Sequence, residues 1–176
     1  IYLFDNVFFF FIVIPLSLSD EPTINLIREC FTNGLHVCLY LTHPLSKGVG
    51  TLGRILSLEE TRDGKVKAMI QGVRRTQMIE LYQDSPFPVY ATTEFNDRPS
   101  ISRFDSDRLE SILKDWLRRH ISDSQERAAF MKDMDTPEKL VDYVSLFLIR
   151  DVEIKQLLLE CASLNERAKM LNSLLI

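Results

Sequence analysis

The sequence predicts an α+β chain in which a small β-rich lobe, residues 1–98, is followed by a helical bundle, residues 99–176. Two observations carry this. Through much of the first half, apolar residues recur at every second position, with turn residues between the runs. From about residue 102 they recur at steps of three and four, the spacing of one helix face.

Taken in order, Val7 to Ile14 is rich in β-branched and aromatic residues and is expected to be a buried strand. The apolar run to Leu18 is too short to cross a membrane, which takes about twenty such residues. Pro15 also interrupts it, and no basic segment precedes it as in a signal peptide. Asp20-Glu21-Pro22 reads as a helix start, since proline is tolerated in the first turn. Ile24, Ile27, Cys30 and Phe31 give that helix one face, and Asn33-Gly34 ends it. Leu35, Val37, Leu39 and Leu41 alternate with His36, Cys38 and Tyr40 as in a strand, up to a break at His43-Pro44.

Val49 to Glu59 alternates again, with Leu52, Arg54, Leu56 and Leu58 on one side. Asp63-Gly64 predicts a hairpin, because glycine supplies the positive φ that the turn requires. Val66, Ala68 and Ile70 share one face of the return strand, and Arg74-Arg75 falls at its end. Met78 to Leu81 and Pro88 to Phe95 complete five or six strands.

In the second half, Leu109, Ile112, Leu113, Trp116, Leu117 and Ile121 form one stripe, and Asp107 and Glu110 have capping-box spacing. Trp116, in mid-stripe, is expected to be buried between the lobes. Thr136-Pro137 opens a helix that turns Leu140, Val141, Val144, Phe147 and Leu148 inward. Ser163 and Glu166 make another capping-box pair before a last helix with Leu171, Leu174 and Leu175.

Composition removes several function classes. The net charge is −4, and each half carries −2: nine Lys/Arg against eleven Asp/Glu up to residue 98, and twelve against fourteen beyond it. Nucleic-acid binders draw most of their affinity from a basic face, so no nucleic acid is expected as a partner. Cys30, Cys38 and Cys161 are odd in number and irregular in spacing, which reads as buried free thiols in a reducing cytoplasm, with no disulfide framework. His36, Cys38 and His43 match no zinc-site spacing.

Gly48, Gly50 and Gly53 spell G-x-G-x-x-G, but a strand and a hairpin follow where a dinucleotide or phosphate site needs a helix. Arg54-Ile55 also stands where a phosphate loop needs Lys and Ser/Thr, so the glycines are read as serving close backbone approach. No nucleophile elbow or pair of catalytic carboxylates stands out, and His120 closes an amphipathic helix beside Arg118 and Arg119. No catalytic residue, resident cofactor or metal is expected. The run Phe8-Phe9-Phe10-Phe11 would turn two of its rings outward if it were a strand with one wet face; either the helical half covers them, the favoured reading, or they form an apolar patch of the kind that marks a binding surface.

Several blocks, together spanning nearly the whole chain, resemble the amino-terminal domain of the Lon proteases. They are Val13-Ile14-Pro15-Leu16; Val49-Gly50-Thr51, Ile55-Leu56, Asp63-Gly64 and Gly72-Val73-Arg74-Arg75 in that order; Asp135-Thr136-Pro137 with Leu140; Lys155-Gln156 with Leu158-Leu159-Glu160; and Leu164-Asn165-Glu166-Arg167. The chain departs from the family at Phe10, where a proline is usual, and at Asp20-Glu21-Pro22-Thr23, which lacks the basic residues common there. The resemblance implies a PUA-like pseudo-barrel for the first lobe and a cytoplasmic protein that engages unfolded or damaged proteins and supports assembly with other subunits. It also implies that ATP, Mg and a serine endopeptidase site belong to downstream domains of a longer parent. The alternative is a stand-alone binding module without ATPase or protease domains. Candidate client contacts are Phe9 and Phe11, Asp20 and Glu21, and Arg74 and Arg75.

Overall fold

The computed structural model describes residues 2–3, 7–9, 11–41, 47–61, 64–98 and 100–175. The expectations placed on Phe10, on the His43-Pro44 break and on Asp63 fall outside them. The fold is α+β, and the chain divides into two units, Ile1–Asn96 and Asp97–Ile176.

The first unit runs β1 (Tyr2–Leu3), β2 (Val13–Leu18), α1 (Glu21–Thr32), β3 (His36–Tyr40), β4 (Val49–Glu60), β5 (Val66–Gln83) and β6 (Val89–Glu94). These strands make a six-stranded sheet in the order β1-β3-β4-β5-β2, with β6 also on β5. Only the β1–β3 pair is parallel. β2 stands at one end of that order, which suits Pro15, because proline has no N–H to give to a second neighbour.

The first strand after β1 starts at Val13 and not at Val7, which corrects the expectation for this stretch. Phe11 sits at φ +68°, outside extended backbone, while its N–H donates to Gly72 O at 3.0 Å. Val7, Phe8 and Phe9 are therefore free of strand alternation, and all three are buried in succession.

Local chemistry explains α1 well. The Asp20 carboxylate caps it by accepting from Thr23 N at 3.0 Å, and Pro22 lies in the first turn. At the other end, Leu35 N donates to Cys30 O and Gly34 N to Phe31 O, with Gly34 at φ +65°. That paired arrangement is a Schellman stop, which needs the left-handed residue glycine accepts without strain. Ile24, Leu26, Ile27 and Cys30 are buried, whereas Phe31 is exposed.

The β4–β5 hairpin forms with Gly64 at φ +78° and Thr61 N donating to Lys65 O at 2.8 Å. Val66, Ala68 and Ile70 enter the core. On β4 the buried face is Val49, Thr51, Gly53 and Ile55, and the leucine side of the alternation is the more open one. β5 is one strand of 18 residues, so Met78–Leu81 continues the return strand and Arg74-Arg75 lies within it, not at its end. A bulge explains the difference: Leu52 pairs with Arg74 and Gly53 with Gly72, so Val73 is left over and the strand bends without stopping.

The second unit is all helical: α2 (Arg103–His120), α3 (Ser124–Asp133), α4 (Pro137–Leu148), α5 (Val152–Glu160) and α6 (Leu164–Leu174). α2 is capped by Ser102, whose hydroxyl accepts from Asp105 N at 3.1 Å, so the Asp107–Glu110 pair lies inside the helix and is not its cap. Thr136 and Ser163 cap α4 and α6 by the same device. Leu109, Leu113 and Leu117 are buried with Leu140, Val141, Val144, Leu158, Leu164 and Leu171. Trp116 is only partly buried and stacks within its own unit on Phe147, centroids 5.4 Å apart, and on His120 at 4.1 Å.

A buried ionic centre joins this unit's helices. The Arg167 guanidinium donates to Asp142 and to Asp97, each at 2.6 Å, and Arg167 and Asp142 are fully buried. Charges taken out of water cost several kcal/mol unless paired. Arg167 thus fixes α6 to α4 and to the segment that enters the unit.

Candidate functional site

The six residues proposed from the sequence do not meet at one place. Phe9 is fully buried and Arg75 nearly so, with its guanidinium 5.0 Å from the Phe95 ring centroid. Neither presents a surface to a client, which corrects the expectation for both. Burial of Phe9 follows from the missing strand alternation, and burial of Arg75 from its position opposite Thr51, on the covered face. Arg74 points the other way and pairs with Glu94 of β6. Phe11, Asp20, Glu21 and Arg74 are exposed. Thr23 hydrogen bonding, its side chain first, holds the Asp20 carboxyl below its ordinary value despite some burial.

The structure instead opens an apolar groove of about 330 Å³ in the first unit. Leu26, Glu29 and Cys30 of α1 form one wall, continued by Leu35, His36 and Cys38 around β3. Phe87, Pro88, Val89, Tyr90 and Thr92, in and before β6, form the other wall, with Leu52 of β4 between them. β4 and β5 separate β3 from β6 in the sheet order, yet both outer strands reach this groove. Strand twist and the bulges bring them round.

Each wall has a local cause. Gly34 ends α1 so abruptly that Leu35 leaves it exposed. A side chain at Gly50 would meet Leu39 O at 2.8 Å and Cys38 Sγ at 2.9 Å, and one at Gly53 would meet Ile70 Cγ2 at 2.5 Å. The glycines therefore let β3, β4 and β5 pack closely. Gly50 and Gly53 lie in β4 and Gly48 just before it. Beyond the groove, bulges in β5 opposite β6 leave Ile79 and Tyr82 unpaired, with 66% and 76% of their surface exposed.

Pockets that hold small ligands span roughly 300–1,000 Å³ and carry convergent polar groups. This groove is at the lower bound and mostly apolar, with Glu29 and His36 at its polar positions. It has room for one large side chain. Burial pushes the Cys38 thiol up to about 11, and burial also raises that of Cys30, so both stay protonated and unreactive at neutral pH. Among the described residues, no group of three or more His, Cys, Asp or Glu could hold a metal ion. Among them too, no helix is long and apolar enough to cross a membrane.

Reasoning from the sequence missed the groove, because its lining comes from separate elements and no single stretch carries a pattern. The one local signal was Phe87-Pro88-Val89-Tyr90, an aromatic-rich run at a strand start.

Comparison with known proteins agrees with this architecture. The sequence model of one family, described as the ATP-dependent protease La (LON) substrate-binding domain, matches residues 1–176. The Lon protease of Lawsonia intracellularis (strain PHE/MN1-00) is 25% identical over 176 residues, covering 89% of this chain and 21% of that protein. The Lon protease of Escherichia coli (strain K12) is 23% identical, covering 93% of this chain and 22% of its own length. The chain thus spans about a fifth of these relatives. The solved N-terminal domain of the Mycobacterium avium complex Lon protease superposes with a TM-score of 0.79 at 18% identity, covering 97% of this chain and 93% of that one. The Lon N-terminal domain protein of Xanthomonas campestris gives 0.76, also at 18%, covering 98% and 95%.

Proposed function

We propose, from the fact that this chain belongs to the ATP-dependent protease La (LON) substrate-binding domain family, that it captures unfolded or damaged polypeptide for a Lon-type ATP-dependent serine protease. The observation that supports this reading best is the open apolar groove between α1 and β6, the size of one large side chain. A folded protein hides such side chains, and an unfolded one offers them. In this reading the first unit is a PUA-like pseudo-barrel, and the bulged turn of the sheet toward β3 is what opens it. Phe11, Asp20, Glu21 and Arg74 are secondary contacts on its exterior.

The chemistry belongs elsewhere. ATP and Mg would be held by an ATPase part of a longer parent, and peptide bonds would be cut by its protease part. The second unit serves assembly with other subunits, for which the exposed Leu157 and Leu174 of α5 and α6 supply apolar surface. The protein works in the cytoplasm, with unfolded clients and further copies of itself as partners.

Fluorescence anisotropy with labelled lysozyme in two states tests the reading. Reduced, carboxymethylated lysozyme is expected to bind and native lysozyme to give no signal. Equal binding of both, or of neither, would overturn it.

A further inference from the structure

β6 is the open edge of the sheet next to the groove. Among the described strands it pairs with β5 alone. Phe95 N donates to Arg75 O, and Thr76 pairs with Glu94 and Gln77 with Thr93. Hydrogen-bonded and non-bonded pairs alternate along an antiparallel ladder. Thr93 and Phe95 therefore face β5, in keeping with Thr93 O accepting from the Thr76 hydroxyl at 2.9 Å. Tyr90, Thr92 and Glu94 then turn their N–H and C=O groups to the open edge, and the side chains of Tyr90 and Thr92 line the groove.

Proteins usually blunt such an edge with proline, lysine or a bulge. β2, which lies beside the first part of β5 on the same side as β6, carries Pro15, and β1 is two residues long. β6 reads Val-Tyr-Ala-Thr-Thr-Glu, without proline, lysine or arginine, and the bulges of this ladder fall on β5, leaving β6 regular. A row of backbone donors and acceptors that no described strand pairs, beside an apolar groove, has one complementary partner, an extended backbone with an apolar side chain.

We propose that an extended segment of unfolded polypeptide adds as a strand to the open edge of β6 and seats one large apolar side chain between α1 and β6. This rests on the polypeptide-capture reading above and specifies its mode. Affinity then comes from main-chain pairing, which every sequence can offer, and selectivity from a single side chain. An unfolded client meets both demands wherever an extended stretch carries one large apolar side chain.

The test uses the whole 176-residue chain and a fluorescein-labelled peptide long enough to span β6, with one Phe among Thr and Ser. Each peptide N–H is methylated in turn, and binding is read by anisotropy. Methylation at alternate residues is expected to weaken binding about tenfold, the loss of one main-chain hydrogen bond, and the intervening positions should tolerate it. Thr92→Pro, which removes an edge-facing N–H and spares the β5 ladder, should weaken it similarly, with circular dichroism checking the fold. The scan alone decides if that variant does not fold. A flat scan, or a peptide that fails to bind while carboxymethylated lysozyme binds, overturns strand addition. Failure of both probes overturns the capture reading instead.

Discussion

A carboxylate placed in the groove should weaken capture without disturbing the fold. Leu35 and Val89 lie on opposite walls and expose 53% and 40% of their surface. Neither is needed by the core, and surface substitutions of this kind usually move stability by within about 0.5 kcal/mol. Moving a Leu or Phe side chain of a client from water into the groove is worth about 1.5–3 kcal/mol, roughly a ten- to hundredfold change in Kd. Leu35→Asp or Val89→Asp removes part of the apolar wall and sets a charge against the incoming side chain, so most of that gain is lost. Anisotropy with carboxymethylated lysozyme is expected to show Kd rising at least about tenfold, with urea midpoints near that of the parent chain. Unchanged affinity in both variants would mean that clients dock elsewhere.

Arg167→Met leaves Asp142 buried without its cation and should cost about 3–5 kcal/mol in urea denaturation; a midpoint within error would remove the ionic centre from the account. At neutral pH iodoacetamide should spare Cys38, whose thiol is held at about 11 by burial, and labelling should accelerate as pH rises toward that value; rapid labelling at neutral pH would contradict the burial. The Asp20 carboxyl is depressed by its Thr23 hydrogen bonds, so the cap contributes stability above the ordinary carboxylate range and loses it as pH falls through the lowered folded value. Asp20→Ala should accordingly destabilise by about 1 kcal/mol at neutral pH, with the difference from the parent shrinking in acid; a constant difference would refute that origin.

Features fixed by a few neighbouring residues were legible in the sequence. Asp20, Pro22 and Gly34 bound α1 by local hydrogen bonding and backbone preference, and Thr136-Pro137 did the same for α4. Ser102 and Asp107 both had a suitable acidic residue three positions on, and only packing decides which one starts the helix. α3 has no buried residue and hence no apolar stripe to read. The single long β5 was hidden because Gly72-Val73 looks like an ending until Leu52 and Gly53 are seen across from it. Candidate contacts fared as their surroundings dictated: Arg74 and Arg75 are neighbours in sequence but lie on opposite faces, one paired at the surface and one under Phe95. The groove and the Arg167–Asp142–Asp97 centre depend on residues far apart in the chain, which spacing alone cannot bring together.

Hydrogen exchange of this chain, with and without carboxymethylated lysozyme, asks most directly where polypeptide docks. Slowed exchange is expected at the backbone amides of Tyr90, Thr92 and Glu94, with the helical unit unchanged. Protection confined to α2–α6, or absent throughout at saturating ligand, would contradict the account.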